Sequence, residues 1–272
     1  MAVPPDRNGE TTMRLVRFVD GRGKTGCGVL SGVLVELVDG DFCGTWQRTG
    51  QTVALAEVRL LAPVQPVNLL CLGKNFRAFP GEQDPKFPKE PLLFIKATSA
   101  VVGPEDEIVL PAMAPSEVYL EAELAVVIKN VTRNIGTPDA LRCVLGYTVA
   151  NDIGAKDCQA SDGQWARAKS FDTFAPIGPW IETELDPRNC AVRSRVNGRL
   201  IQESTTALML FDVPTATSYL SRCMTLWPGT VISLGSPGVL QEPRPFLKPG
   251  DTVEAEVEGI GVLRNRVSTA KI

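Results

Sequence analysis

Tyr119-Leu120-Glu121-Ala122-Glu123-Leu124-Ala125-Val126-Val127-Ile128 is an apolar run broken twice, two residues apart, by a carboxylate. Its branched and small apolar residues predict a buried strand. In a strand, side chains two apart share a face, so Glu121 and Glu123 point the same way, roughly 7 Å apart. Ala125 and Val127 continue that face, and Leu120, Ala122, Leu124, Val126 and Ile128 form the other. Acids on a buried strand are costly unless paired, protonated or bound to metal. A second apolar run, Tyr147–Ala150, leads to Asp152, which completes a trio of carboxylates. Three oxygen ligands without histidine or cysteine suit Mg²⁺, Mn²⁺ or Ca²⁺ better than Zn²⁺. The spacing leaves one alternative open, that these acids pair with lysines or arginines at a sheet edge.

The chain has 272 residues and no histidine. That excludes an imidazole base, a His–Asp dyad and a histidine metal ligand, so any chemistry rests on carboxylates, lysines, arginines, amides and hydroxyls. With 44% hydrophobic and 22% charged residues, the chain can build a full core as one large domain or a main domain with an appendage. A net charge of −3 argues against a nucleic-acid partner. No apolar run reaches membrane-spanning length, so no membrane partner is expected. Residues 1–12 are polar, lack an apolar signal core and read as a disordered tail. The cysteines at 27, 43, 71, 143, 158, 190 and 223 form no C-x-x-C pair. They read as reduced small hydrophobes of a cytoplasmic protein.

Residues 13–64 read as a small β-rich N-terminal domain. Its strand-like runs, Leu15–Val19 and Val33–Val38, end at Asp20-Gly21 and Asp39-Gly40. Pro63-Val64-Gln65-Pro66 is the linker to a core over 65–272, which opens on a buried strand at Asn68–Gly73. Residues 74–91 carry Pro80, Gly81, Pro85, Pro88 and Pro91 among charges. They exclude a regular helix or central strand and predict a loop or a mobile lid. One helix is expected from Thr137 through Leu141, Val144 and Leu145 to a stop at Gly146. Another is expected from Asp212, with Pro214 in its first turn and Leu220 and Met224 on one face. Asn197-Gly198 marks a hairpin, and Val253–Val257 alternates after Pro249-Gly250. The fold class is α+β and β-dominated.

Several of these stretches closely resemble motifs of the fumarylacetoacetate hydrolase family. They are the Tyr119–Ile128 run, Gly146–Asp152, Ala168–Phe174, Pro176–Trp180, Val196-Asn197-Gly198 and Phe246–Asp251. The resemblance runs in order from about Leu70 to Val267, and is nearest to the isomerase, tautomerase and acylpyruvase-like members. It implies a mixed β-roll core, a homodimer, and Mg²⁺ or Mn²⁺ held by Glu121, Glu123 and Asp152. It implies small-molecule substrates: 2-oxo acids, β-diketo acids and their enols. The expected reactions are C–C hydrolysis, decarboxylation and keto–enol or double-bond isomerisation. Lys169 takes the position of the family's active-site lysine, and Gln159 that of a substrate-binding glutamine. Asn75 opens the lid motif, and Ser236 keeps a hydroxyl in a turn that usually reads Thr-Gly-Thr-Pro.

The departures point to a reaction class. Hydrolytic members carry a histidine and, three residues later, a glutamate in the lid. Here Phe79 stands at the histidine position, while Glu82 keeps the acid. Lys156 stands where an arginine is usual, losing a planar fork. Tautomerisation needs a metal and one proton relay, but no attacking hydroxide. The expectation is therefore an isomerase or tautomerase, or a decarboxylase, with Glu82 as the proton shuttle in an apolar lid. The alternatives are C–C hydrolysis of an acylpyruvate and a catalytically silent binding homologue.

Overall fold

The computed structural model describes residues 12–113 and 116–270. The expected tail therefore lies outside the described residues, except at Thr12. The fold is β-dominated, with mixed sheets. A twelve-stranded sheet begins with a meander of Trp46–Ala54, Leu34–Gly40, Thr25–Ser31 and Arg14–Asp20. It continues through Ala175–Glu182, Val144–Asn151, Ala122–Ile128, Val231–Ser233 and Leu69–Gly73 to an edge at Leu92–Lys96. Residues 13–64 thus join the main sheet through Arg14↔Glu182 and Leu15↔Ile181.

A five-stranded sheet (Arg199–Thr205, Ala191–Val196, Thr252–Val257, Gly261–Thr269, Glu107–Leu110) packs against the large one. The two faces read from the central strand separate as expected. Ala122, Leu124, Val126 and Ile128 join Val192, Ala255, Val257 and Leu263 between the sheets, with Val213, Ala216 and Leu220 of the Val213–Cys223 helix. Ala125 and Val127 face the other way, into a core with Leu69, Cys71, Ala150, Ile177 and Val231. Glu123 shares that second face and is fully buried there.

Two expectations are corrected. The Tyr119–Ile128 stretch is not one strand. Val118–Tyr119 pairs with Gly154–Ala155 in a separate ladder, and the chain bends before Ala122–Ile128 resumes in the main sheet. At the bend the Glu121 N–H donates to Asn151 Oδ1 at 3.1 Å, and the Glu121 carbonyl accepts from the Asp152 N–H at 2.8 Å. The expected α-helix from Thr137 is a 3₁₀ helix over Thr137–Cys143, capped by Gly136, and a strand starts at once at Val144. Gly146 lies inside that strand. A Cβ there would sit 2.5 Å from the Glu182 carbonyl oxygen, so this glycine serves close strand packing and not a helix stop.

Other signals hold. Asp212 caps the Val213–Cys223 helix by accepting from the Thr215 N–H at 2.9 Å. Asn197 and Gly198 take left-handed φ values of 51° and 79°, the pair that a two-residue hairpin requires. All seven cysteines are free thiols. Residues 74–91 form turns without helix or strand. No described helix is long and apolar enough to cross a membrane.

Candidate active site

The bend brings the three acids together. One carboxylate oxygen each from Glu121, Glu123 and Asp152 lies within 4.8 Å of the others. They form the floor of a cavity of about 420 Å³, walled on its apolar side by Leu72, Phe76, Phe94 and Trp165.

Each acid is held differently. Asp152 accepts from Lys169 Nζ at 2.5 Å and from Lys96 Nζ on its other oxygen. Glu121 accepts from Lys169 Nζ at 2.8 Å and from Arg244 Nη1 at 3.0 Å. Glu123 accepts from Ser233 Oγ at 2.5 Å and the Gly235 N–H at 2.9 Å, and pairs with no cation among the described residues. The alternative of ion-paired acids is therefore met for Asp152 and Glu121, though in the interior and not at a sheet edge. Three cations, Lys96, Lys169 and Arg244, thus bear on two of the three acids.

The titration behaviour follows. Burial pushes the Glu123 carboxyl up to about 8, and the charges of Asp152 and Glu121 add to the shift. Burial also opposes ionisation of Asp152, but Lys169 and Lys96 outweigh it and hold this acid below its ordinary value. Burial disfavours the Lys169 cation, yet Asp152 and Glu121 raise it well above the usual lysine range. Lys169 is thus a fixed proton donor. Burial raises the Tyr119 hydroxyl to about 12, so it stays protonated and donates to Gln159 Oε1 at 2.7 Å.

A hard divalent cation fits this arrangement. The converging atoms are all carboxylate oxygens, and the buried Glu123 lacks a counter-charge. Because Glu123 must ionise to serve as a ligand, Mg²⁺ affinity is expected to climb between about pH 6 and pH 8 and level off above. Binding near pH 7 should release protons. Calorimetry in buffers of different ionisation enthalpy checks both; a pH-independent affinity contradicts this reading of Glu123.

Six of the nine residues expected from the sequence line the cavity: Glu121, Glu123, Asp152, Lys169, Gln159 and Ser236. The other three do not. Asn75 is fully buried, donating to the Phe211 and Leu234 carbonyls at 3.0 and 2.7 Å and accepting from the Phe211 N–H at 2.8 Å. It braces the turn that presents Gly235 to Glu123. Lys156 is exposed, with Nζ 5.6 Å from the Phe246 ring centre; the guanidinium in the cavity comes instead from Arg244. Glu82 accepts from the Ala78 N–H at 2.6 Å and lies off the wall, while Phe79 is 58% exposed. The same loop sends Asp84 to the wall.

Sequence reading missed Lys96, Arg244 and Asp84. Lys96 had a legible signal, a lysine closing the apolar strand Leu92–Lys96. Its Nζ also donates to the Ile153 and Phe174 carbonyls, so all three of its protons are used. Arg244 and Asp84 sit in proline-punctuated loops, where no periodicity says which way a side chain points.

Comparison with known proteins places this geometry. Residues 68–268 match the family described as fumarylacetoacetate (FAA) hydrolase C-terminal, and residues 13–63 match one described as Rv2993c-like, N-terminal. Oxaloacetate tautomerase FAHD2B, mitochondrial, of Bos taurus is 43% identical over 221 residues, covering 78% of this chain and 70% of that protein. The crystal structure of 5-carboxymethyl-2-hydroxymuconate delta-isomerase from Mycobacterium smegmatis superposes with a TM-score of 0.87 at 39% identity. That match covers 95% of this chain and 100% of the other. Maleylpyruvate hydrolase from Sphingobium sp. SYK-6, solved with manganese(II) and pyruvate, superposes with a TM-score of 0.77 at 28% identity over the same shares of the two chains. With three quarters of its length inside the matched region and relatives named as tautomerase and isomerase, the chain belongs to the fumarylacetoacetate hydrolase family.

Proposed function

We propose that this protein is a Mg²⁺- or Mn²⁺-dependent tautomerase or isomerase of a 2-oxo acid or its enol. The observation that carries the reading is the converging carboxylate trio, two of its members buried, beside a permanently charged Lys169, in a chain without histidine. Glu121, Glu123 and Asp152 would hold the ion. When bound, it supplies Lewis-acid chemistry that lowers the cost of negative charge on a neighbouring oxygen.

The remaining work falls to side chains. Lys169 Nζ donates to the substrate oxygen on which charge develops as the C3 proton leaves. Gln159, whose carbonyl is engaged by Tyr119, offers its amide NH₂ to a substrate carboxylate. Leu72, Phe76, Phe94 and Trp165 keep one side of the cavity apolar, which strengthens each of these contacts. We assign the C3 proton to Asp84 because it lines the cavity and Glu82, the acid expected from the sequence, does not; each accepts a main-chain hydrogen bond within its own loop, from Lys86 and Ala78.

Proton NMR of a panel of 2-oxo acids in D₂O with enzyme and Mg²⁺ tests the reading. Deuterium is expected at C3 without bond cleavage. Asp84→Asn should slow exchange about 10²-fold or more, as loss of a general acid–base group does. Glu82→Gln should leave it near wild type. Pyruvate as the main product would establish hydrolysis instead, and CO₂ decarboxylation. Exchange lost in Glu82→Gln and kept in Asp84→Asn would return the shuttle to Glu82.

A further inference from the structure

We infer that Gln202 is a positioning residue that holds Glu121 and Glu123 at the spacing a small divalent ion needs. The inference rests on the reading above that the carboxylate trio takes such an ion. Gln202 sits on Arg199–Thr205, the end strand of the five-stranded sheet, yet it is fully buried and is not part of the cavity wall. A buried amide is costly unless its polar groups are bonded. Here Oε1 accepts from the Ala122 N–H at 3.1 Å and from Ser194 Oγ at 2.8 Å, and Nε2 donates to the Pro237 carbonyl at 2.6 Å. The amide has one orientation, because the Ala122 N–H needs an oxygen and the Pro237 carbonyl needs an N–H.

Both main-chain contacts bear on the acids. Ala122 is the residue between the two glutamates and the first of the main-sheet strand after the bend. The neighbouring strand Val231–Ser233 pairs only with Ala125–Val127, so Ala122 lies beyond the end of that ladder. Gln202 supplies the acceptor that a longer strand would have given. Pro237 ends the turn whose Gly235 N–H donates to Glu123 at 2.9 Å, and Asn75 grips the same turn at the Leu234 carbonyl. One planar amide therefore ties the backbone between Glu121 and Glu123 to the turn that holds Glu123. A straight strand would leave the two glutamates roughly 7 Å apart. The bend brings their oxygens within 4.8 Å, and Gln202 fastens the residue at its end.

Spacing selects the ion. Mg²⁺ demands near-octahedral oxygens at about 2.0–2.1 Å, whereas Ca²⁺ accepts looser cages at about 2.3–2.6 Å. A fastened bend favours the smaller ion, and a freed one lets the acids spread to suit the larger.

Calorimetry with Mg²⁺ and with Ca²⁺ tests this, alongside hydrogen exchange of the metal-free protein. Gln202→Met keeps most of the volume and none of the three bonds. It should lower Mg²⁺ affinity about 10- to 100-fold, as changes behind a metal's ligands do. Ca²⁺ affinity should fall less, so that the preference for Mg²⁺ shrinks about tenfold. The Ala122 N–H should exchange faster. Gln202→Glu, kept protonated by burial, can make the same three bonds and should restore the preference. Loss of fold stability alone would weaken both ions by one factor; that result, or unchanged affinity for both, overturns the inference. If Gln202→Met does not fold, Ser194→Ala carries the test, since it removes only the bond from Ser194 to the amide oxygen. It should shift the preference the same way by a smaller factor, and an unchanged ratio overturns the inference. A wild type that binds neither ion removes the reading of the trio itself.

Discussion

Glu123→Gln is expected to abolish useful Mg²⁺ binding while leaving the metal-free protein at least as stable as wild type. Glu123 is buried, takes hydrogen bonds among the described residues only from Ser233 and Gly235, and has its carboxyl raised to about 8. An acid whose folded pKa lies above its unfolded one binds more protons folded than unfolded. Its contribution therefore turns unfavourable as pH rises from about 4.5 toward about 8. The lowered pKa of Asp152 works in the opposite sense, but in a window below its ordinary 3.8, so the two do not overlap. Glutamine has nearly the same shape and no charge to desolvate. At pH 7 its advantage in the metal-free state is on the order of a few kcal/mol. The loaded state reverses the order, because one of three charged ligands is gone. Affinity should fall by at least about 10-fold, the lower end of what changes around a metal site cost. Excess Mg²⁺ should then raise the melting temperature of wild type alone. Unchanged Mg²⁺ affinity in the variant would remove Glu123 from the site. Lower stability in EDTA would show that its charge is not the burden argued here.

Lys169→Met should reduce kcat by about 10²- to 10³-fold, the usual cost of losing one preorganised donor to a developing oxyanion. Methionine fills most of the lysine's volume, so the packing survives. This matters because a Cβ added at Gly154 would already lie 3.1 Å from Lys169 Cε, a wall with no slack for rearrangement. The loss should appear in kcat, since the charge acts most strongly when negative charge has formed. With its pKa held well above 10.5, Lys169 should add no pH limb to the rate across the neutral range. A kcat within tenfold of wild type would sink the donor role. A rate limb near pH 7 that disappears in Lys169→Met would recast it as a base.

What the sequence showed of this site follows from how each residue is constrained. Glu121, Glu123 and Asp152 were legible because a carboxylate in an apolar strand violates the period around it, and such violations mark function. Their convergence to within 4.8 Å was not, because strand spacing alone places the glutamates about 7 Å apart. The difference is the bend at Leu120–Glu121, where the chain passes from the small ladder to the main sheet. The helix expected from Thr137 failed for a related reason. Thr-Pro-Asp starts any helical turn equally well, and the demand of Val144–Asn151 for a place in the sheet decided where that turn stopped. Asn75, Lys156 and Glu82 were placed by resemblance to a motif, and a motif fixes the order of residues in a loop without fixing their directions. The hairpin at Asn197-Gly198 needed no such context, because its two left-handed residues carry their own geometry.

The pairing of Arg14–Asp20 with Ala175–Glu182 gives the first strand a second role. Without it, the main-chain groups of Ile181 and Glu182 would lie open on that side, beside the buried Ile181 side chain. Such an edge is a template for a foreign strand. The N-terminal meander closes it, and Arg14 adds a lock from outside, 3.6 Å from Glu182 and stacked 5.1 Å from the centre of the Trp180 ring. The segment that a comparison of cavity residues would discard as a bystander thus completes one end of the main sheet. Grafting residues 65–272 onto another protein would have to carry this strand along or cover Ile181 and Glu182 in another way.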